Sequence, residues 1–189
     1  MKISRIAFKS AKRSSLKKQA GFDLVQISVA VAIIAFIMAI AFLAVPTVMT
    51  NIKVNAETGD IQQSVSNAAR VSGSGADLTG LNAAAAINLK LPPPDRISGT
   101  NIMNRFGGTV TWGLSNLYGT NDGIAVTSSG YNSDACAKLV PNVQAMFAKI
   151  TIGTTVVKDI TAGTALTATA LGTACNAAAT VNIKYEFVR

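Results

Sequence analysis

An unbroken apolar run stands out in the hydropathy pattern of this chain. From Leu24 to Val45 there are 22 residues with no formal charge, and Gln26 is the one strongly polar side chain among them. At about 1.5 Å of rise per residue, such a helix reaches roughly 33 Å, against a membrane hydrocarbon core of about 30 Å. A core helix of a globular domain normally keeps a polar face, whereas here every face is apolar for about six turns. The run predicts a membrane-spanning helix.

Beyond Pro46 the pattern changes. Ile52 and Ala56, then Ile61, Val65, Ala68 and Ser72, recur every three or four residues, with Lys53, Glu57, Asp60, Gln62 and Arg70 between them. This predicts one long helix from about Phe22 to Val71, apolar in its first half and amphipathic in its second. Pro46 is expected to kink it without ending it, and Gly59 weakens it by about 1 kcal/mol. The SGSG loop at 72–75 ends it. From Asp77 to Arg105 an alanine patch at 83–86 suggests a short helix, and Leu91 is followed by three prolines and Asp95. Three prolines in a row forbid helix and central strand, so this stretch reads as a surface connection free to vary.

Strand signals follow at 107–112 (GGTVTW) and 123–128 (GIAVTS), with Asn116, Gly119, Asn121, Asp122 and Gly123 as turn residues between them, which predicts a hairpin. Ser133 or Asp134 is placed to cap a helix through 135–148, with Pro141 dividing it. KITI, TTVVKDI and TVNIKYEFV supply three more strands. The last alternates Val181, Ile183, Tyr185 and Phe187 with Asn182, Lys184 and Glu186, so one buried and one wet face are expected. Packing the sheet on the amphipathic half of the long helix buries both stripes, which makes the fold class α+β. Trp112 and Tyr131 read as packing residues. The stretch 161–180 is uncharged and rich in Ala, Thr and Gly, with few anchors for a core.

The charge of +8 sharpens the first inference. Lys2, Arg5, Lys9, Lys12, Arg13, Lys17 and Lys18 fall within residues 1–21 with no acid beside them. The other ten basic residues face all nine acidic ones, which leaves +1 for the rest of the chain. No global charge argument for nucleic acid survives this, and the scatter of Lys138, Lys149, Lys158, Lys184 and Arg189 reads as a solvated surface. Seven cations before the span put the N-terminus in the cytoplasm and export the rest. In a bacterium that means the periplasm or the exterior, where two cysteines can form one lasting disulfide, Cys136 to Cys175. Two buried free thiols are the alternative. The bridge closes a loop of about 40 residues, worth about 4 kcal/mol of chain entropy. The sequence has no histidine, so Ser-His, Cys-His and His-zinc chemistry are excluded, and no serine–lysine spacing singles itself out. No catalytic residue, cofactor or metal site is expected.

The basic stretch stops at Gln19-Ala20-Gly21, and the apolar run starts at once with Phe22. A cut between Gly21 and Phe22 removes the charge and keeps the helix. In this the sequence resembles the type IV pilins, whose basic leader ends in Gly and is cut by a prepilin peptidase on the cytoplasmic side. The resemblance implies that Phe22 becomes the first residue and is N-methylated. The long leader, the C-terminal cysteine pair and FGGTVTW (106–112) look most like the type IVb branch, which includes PilS-like pilins of thin conjugative pili and the bundle-forming and toxin-coregulated pilins. In that branch a comparable cysteine pair bounds the segment exposed on the filament. The fifth residue after the cut is usually Glu, thought to neutralise a neighbour's N-terminal amine. Here it is Gln26, and Asp23 is the nearest carboxylate.

Three regions are thus expected: a leader (1–21), a membrane and filament-core helix (22–45) and an exported head (46–189). The resemblance implies a homopolymer, made with the peptidase and the inner-membrane pilus machinery, that passes from the membrane to a surface filament for conjugation, adhesion or aggregation. Phe22, Asp23 and Gln26 are the assembly residues, and small residues such as Ala30, Ala35 and Ala39 permit close helix approach. Gln26 favours instead a minor pilin or a secretion pseudopilin that initiates or tips the assembly.

Overall fold

The structure, a computed structural model, describes residues 20–189, with the backbone alone at 20–23, 43 and 44. Residues 1–19, most of the expected leader, lie outside the described residues. The chain divides into two compact units, Met1–Pro46 and Thr47–Arg189. Helix α1 (Ala20–Gly73) belongs to both, and Pro46 lies inside it. In the first unit every described side chain from Leu24 onward is exposed. Ser28 hides its hydroxyl on the carbonyl oxygen of Val25, at 2.8 Å, so even this polar residue adds little to the polarity of the surface.

In the second unit, the helix from Thr47 to Gly73 turns one stripe inward. Val54 and Ala68 are buried, and Ile61, Val65 and Val71 pack beside them. The stripe differs from the expected one at its start. Ile52 is exposed, while Glu57, which the spacing assigns to the polar face, is buried to 4% exposure. The carboxylate tolerates this because it finds two hydrogen-bond donors inside. The helix ends as expected, with Gly75 left-handed at φ +77° after Gly73. Helix α2 (Ala83–Asn88) follows, capped by the Asn82 side chain, which accepts from the Ala85 N–H at 3.0 Å.

The proline segment corrects the sequence reading. Leu91 is fully buried in the core, Pro92 and Pro93 are buried, and Pro94–Arg96 forms a 3₁₀ turn. Prolines carry no N–H, so fewer backbone donors need partners there. The exposed-side carbonyls are also served, because the Asn67 amide on α1 donates to the carbonyls of Lys90 and Leu91. Two short strands that the sequence pattern did not reveal come next, β1 (Ile97–Ser98) and β2 (Asn101–Met103).

Strands β3 (Thr109–Ser115) and β4 (Gly123–Tyr131) form the expected hairpin, paired from Val110↔Ser128 to Ser115↔Gly123. Helix α3 (Ser133–Val143) is capped by Asn132, not by Ser133 or Asp134, and accepts the Ala135 N–H at 2.8 Å through that side chain. Pro141 does not divide it. The carbonyl that Pro141 cannot bond belongs to Ala137, on the exposed side, where water can serve it. Then come β5 (Lys149–Ile152), β6 (Thr155–Asp159), helix α4 (Ala168–Cys175) and β7 (Val181–Val188). All pairings are antiparallel, in the order β1-β2-β3-β4-β7-β5-β6, so the last strand sits inside the sheet. Val181, Ile183, Tyr185 and Phe187 fill the core, as their alternation predicts. The opposite face is less wet than expected, since Glu186 is 4% exposed. It sits beside Lys149 in the register and pairs with Lys184 at 2.8 Å.

The burial of Leu91 is open to a direct test. Leu91→Ala in the full chain, held in detergent micelles, should lose about 2–5 kcal/mol in urea unfolding, the range for a fully buried leucine. A surface connection would lose under about 0.5 kcal/mol.

Candidate functional site

Three regions carry the chemistry that the sequence points to. The first is the start of α1. Gly21, Phe22 and Asp23 have helical backbone, and Gln26 is exposed on the same helix. Thirteen large apolar side chains between Leu24 and Val45, among them Phe36 (67%) and Phe42 (76%), are more than half exposed. Leaving them in water costs on the order of 20–40 kcal/mol at about 1.5–3 kcal/mol each. That exceeds the whole stability of an ordinary domain, about 5–15 kcal/mol, so lipid or other protein must cover this surface.

The second region joins α1 to the sheet in the second unit, through the turn between β2 and β3. The Asn104 side chain accepts the N–H groups of Phe106 and Gly108 and donates to the Ser128 hydroxyl and the Ser129 carbonyl. Gly107 is left-handed, and a Cβ on Gly108 would fall 1.8 Å from the Ser129 carbonyl oxygen. The two glycines of FGGTVTW are therefore required by a tight turn and by close approach to β4. The turn presents the Arg105 N–H to Glu57 Oε2 at 2.8 Å, while Tyr131 donates its hydroxyl to Glu57 Oε1 at 2.8 Å. Phe106 packs on the Tyr131 ring, with centroids 5.3 Å apart. Burial pushes the Glu57 carboxyl above the usual range, and the Arg105 and Tyr131 hydrogen bonds oppose it. Outside this, Arg105 holds Asp60 in a two-pronged pair at 2.6 and 2.9 Å, and Asp95 bridges Arg105 and Arg96.

The third region is bounded by the cysteines. Cys136 and Cys175 are bonded, with Cα atoms 5.7 Å apart, and link the first turn of α3 to the end of α4. Within the closed loop, Asp159 accepts from the hydroxyl and N–H of Thr161 and pairs with Lys149 at 2.9 Å. The Thr161 hydroxyl and then Lys149 hold its carboxyl down at about 2. This fixes the start of an exposed, uncharged surface, with residues 161–165 and 176–180 all exposed.

The sequence profile of the family described as PilS N terminal matches residues 39–185, which takes in the end of the apolar run, from residue 39, and nearly all of the head. The chain belongs to the PilS family of type IV pilins. Among solved structures, the crystal structure of TcpA, a type IV pilin from Vibrio cholerae El Tor biotype, is similar at 17% identity. The match covers 69% of this chain and 98% of that one, with a TM-score of 0.49. No curated protein matches the sequence. A PilS-family pilin is a structural protein and not an enzyme.

In this PilS-family chain the four scattered lysines are engaged locally. Lys138 meets Asn51 and Asp134, Lys149 meets Asp159, Lys184 meets Glu186, and Lys158 donates to the carbonyls of Gln144 and Phe147. Trp112 and Tyr131 are buried in the core. Among the described residues no cluster of acidic or cysteine side chains could hold a metal ion. Glu57, Asp60, Asp95 and Arg105 were not visible as a unit in the sequence. The usable signal was the spacing Val54, Glu57, Ile61, Val65, Ala68, a single carboxylate on an apolar helical stripe.

Removing the bridge by Cys136→Ala with Cys175→Ala should lower stability by about 4 kcal/mol, since a loop of this length loses that much chain entropy when closed. Urea unfolding of both full chains in the same micelles measures it. A loss under about 1 kcal/mol would show that the loop is ordered without the bridge.

Proposed function

We propose that this chain is the structural subunit of a type IVb pilus, cut between Gly21 and Phe22, methylated at Phe22 and polymerised through the helix that follows. The observation that carries this reading is the exposed apolar surface of α1 from Leu24 to Val45 in a chain of the PilS family. Before assembly the lipid covers that surface, with the cationic segment 1–21 in the cytoplasm and the head in the periplasm. In the filament, identical helices from neighbouring subunits replace the lipid. The exchange is between two apolar surroundings, so it avoids the cost of exposure to water. Ser28, Ala30, Ala32, Ala35, Ala39 and Ala41 keep the contact surface low.

Gln26 supports a second reading, a minor subunit. A glutamine accepts a hydrogen bond from a neighbour's N-terminal amine but supplies no charge, and in a low-dielectric core that difference is large. FGGTVTW and the cysteine pair favour the main subunit, with Asp23 supplying the charge.

Protein sheared from cells separates the readings. The main-subunit reading expects abundant filaments whose chain starts at N-methylated Phe22 and is two hydrogens lighter than the reduced form by intact mass. The same processed chain in trace amounts would favour the minor subunit, and an uncut N-terminus would exclude both. Asp23→Asn should reduce the filament yield about tenfold or more if its charge substitutes for the missing glutamate, since about 1.4 kcal/mol is a tenfold change in an equilibrium. Filaments at wild-type yield would remove Asp23 from the account.

A further inference from the structure

The turn between β3 and β4, residues 116–122, is exposed at its tip and tightly held. The Asp122 carboxylate accepts three of its backbone N–H groups, Oδ1 that of Leu117 at 2.8 Å and Oδ2 those of Tyr118 and Gly119 at 2.8 and 2.7 Å. Those bonds, that of Leu117 first, hold the carboxyl below its usual range. Asn116 Oδ1 accepts the Asn121 N–H at 2.7 Å, and Asn121 is left-handed at φ +56°, which asparagine adopts more readily than most side chains. At the base of the turn, a Cβ on Gly123 would fall 2.5 Å from Ser115 Oγ and 2.9 Å from Leu117 Cδ1, so a glycine is needed for Leu117 to fold over the end of the hairpin. Loop tips are ordinarily the mobile part of a fold. This one is fixed from within by its own side chains.

The tip displays one aromatic ring among uncharged polar groups. Tyr118 is 66% exposed. Among the described residues of the second unit it is the one exposed aromatic side chain, because Trp112, Tyr131, Phe147, Tyr185 and Phe187 are buried and Phe106 packs on Tyr131. Asn116, Gly119, Thr120 and Asn121 are exposed around it. The Asn116 amide nitrogen, the Asn121 amide, the Thr120 hydroxyl and the Tyr118 hydroxyl make no hydrogen bond among the described residues. The single charge of the turn, on Asp122, is spent on the turn's own N–H groups. Tyrosine, asparagine, glycine and a hydroxyl residue are the chemistry of recognition loops, where a stiff ring supplies contact area and amides and hydroxyls supply hydrogen bonds. A backbone fixed in advance also lowers the ordering cost of binding.

Size and charge decide the ligand. A stable protein interface takes about 20–30 residues a side, far more than this tip presents. A nucleic acid or an anionic lipid surface calls for cations, and residues 116–122 have none. We propose that the tip of the β3–β4 turn binds a neutral sugar ring, with the Tyr118 ring stacked on the C–H face of the sugar and the Asn116 and Asn121 amides hydrogen-bonded to its hydroxyls. A sugar ring matches both halves of the tip. Its C–H face is apolar and slightly positive, which suits the negative face of an aromatic ring, and its rim of hydroxyls both donates and accepts, as an amide does. Asp122 is a positioning residue that acts through the backbone of Tyr118. The site concerns the head alone and does not depend on how subunits assemble.

The test is a magnetic-resonance titration of the full chain, labelled with nitrogen-15 and held in micelles of dodecylphosphocholine, a detergent that contains no sugar. Methyl β-glucoside, methyl β-galactoside and N-acetylglucosamine are the probes. The amide signals of Leu117, Tyr118 and Gly119 should move saturably with at least one of them, with a dissociation constant on the order of 1 mM, ordinary for a ligand of this size. Tyr118→Phe should keep the binding, and Tyr118→Ala, a change at an exposed side chain, should weaken it about tenfold. Asp122→Asn leaves the tyrosine in place but takes one acceptor oxygen from the turn, and it should weaken binding about threefold or more. No saturable shift in the turn with any of the three sugars up to about 50 mM would overturn the proposal. So would undiminished binding by Tyr118→Ala. Signals of the turn that follow protein concentration and ignore sugar would assign the tip to a contact between two copies of the chain and overturn it as well.

Discussion

An apolar surface without a cover constrains everything else in this protein. The helix from Leu24 to Val45 has no polar face, and its described side chains are exposed. The cost of leaving that surface in water is larger than any stability a head of this size supplies. The segment therefore has two states open to it, lipid or other protein. A disulfide that persists outside the cytoplasm and a cationic stretch at residues 1–21 belong with the first state, and membership of a pilin family belongs with the second.

The head answers a different problem, the docking of an amphipathic helix on a sheet. Its polar solution is compact. Glu57 enters the apolar stripe and takes one hydrogen bond from Tyr131 on β4 and one from the Arg105 backbone in the β2–β3 turn. Asn104 organises that turn, and Gly108 lets it approach β4. Helix, turn and strand are thus fixed by one carboxylate in a connected network that runs Asn104, Ser128, Tyr131, Glu57. Networks of this kind specify one arrangement because each member left unpaired is costly. The disulfide does comparable work farther along, where residues 161–180 have no charge and few large side chains.

Much of this was legible from periodicity. The amphipathic half of α1 and the inward face of β7 follow from helical spacing and alternation, because the burial of side chains sets those patterns, while the apolar half of α1, the alanine patch of α2 and the turn between β3 and β4 follow from composition. Reading failed where polar groups are buried with partners distant in sequence. Glu57 and Glu186 look solvent-facing until Arg105, Tyr131, Lys149 and Lys184 are placed around them. The proline segment failed for the opposite reason. Prolines signal a loop, and the signal is correct about helix and strand, but it carries no information on burial, and Leu91 anchors the segment in the core. Strands β1 and β2 are too short for any alternation to show. At the candidate assembly end, the Gly21–Phe22 junction and Gln26 came from family resemblance, and the family match itself starts at residue 39.

The most direct measurement is a helical reconstruction by electron cryomicroscopy of filaments sheared from cells that make this chain. The account predicts density for residues 22–45 at the filament axis, each helix packed against those of neighbouring copies, with the heads outside and residues 161–180 toward solvent. Filaments joined through the heads alone, with the apolar helices absent or splayed into detergent, would contradict it.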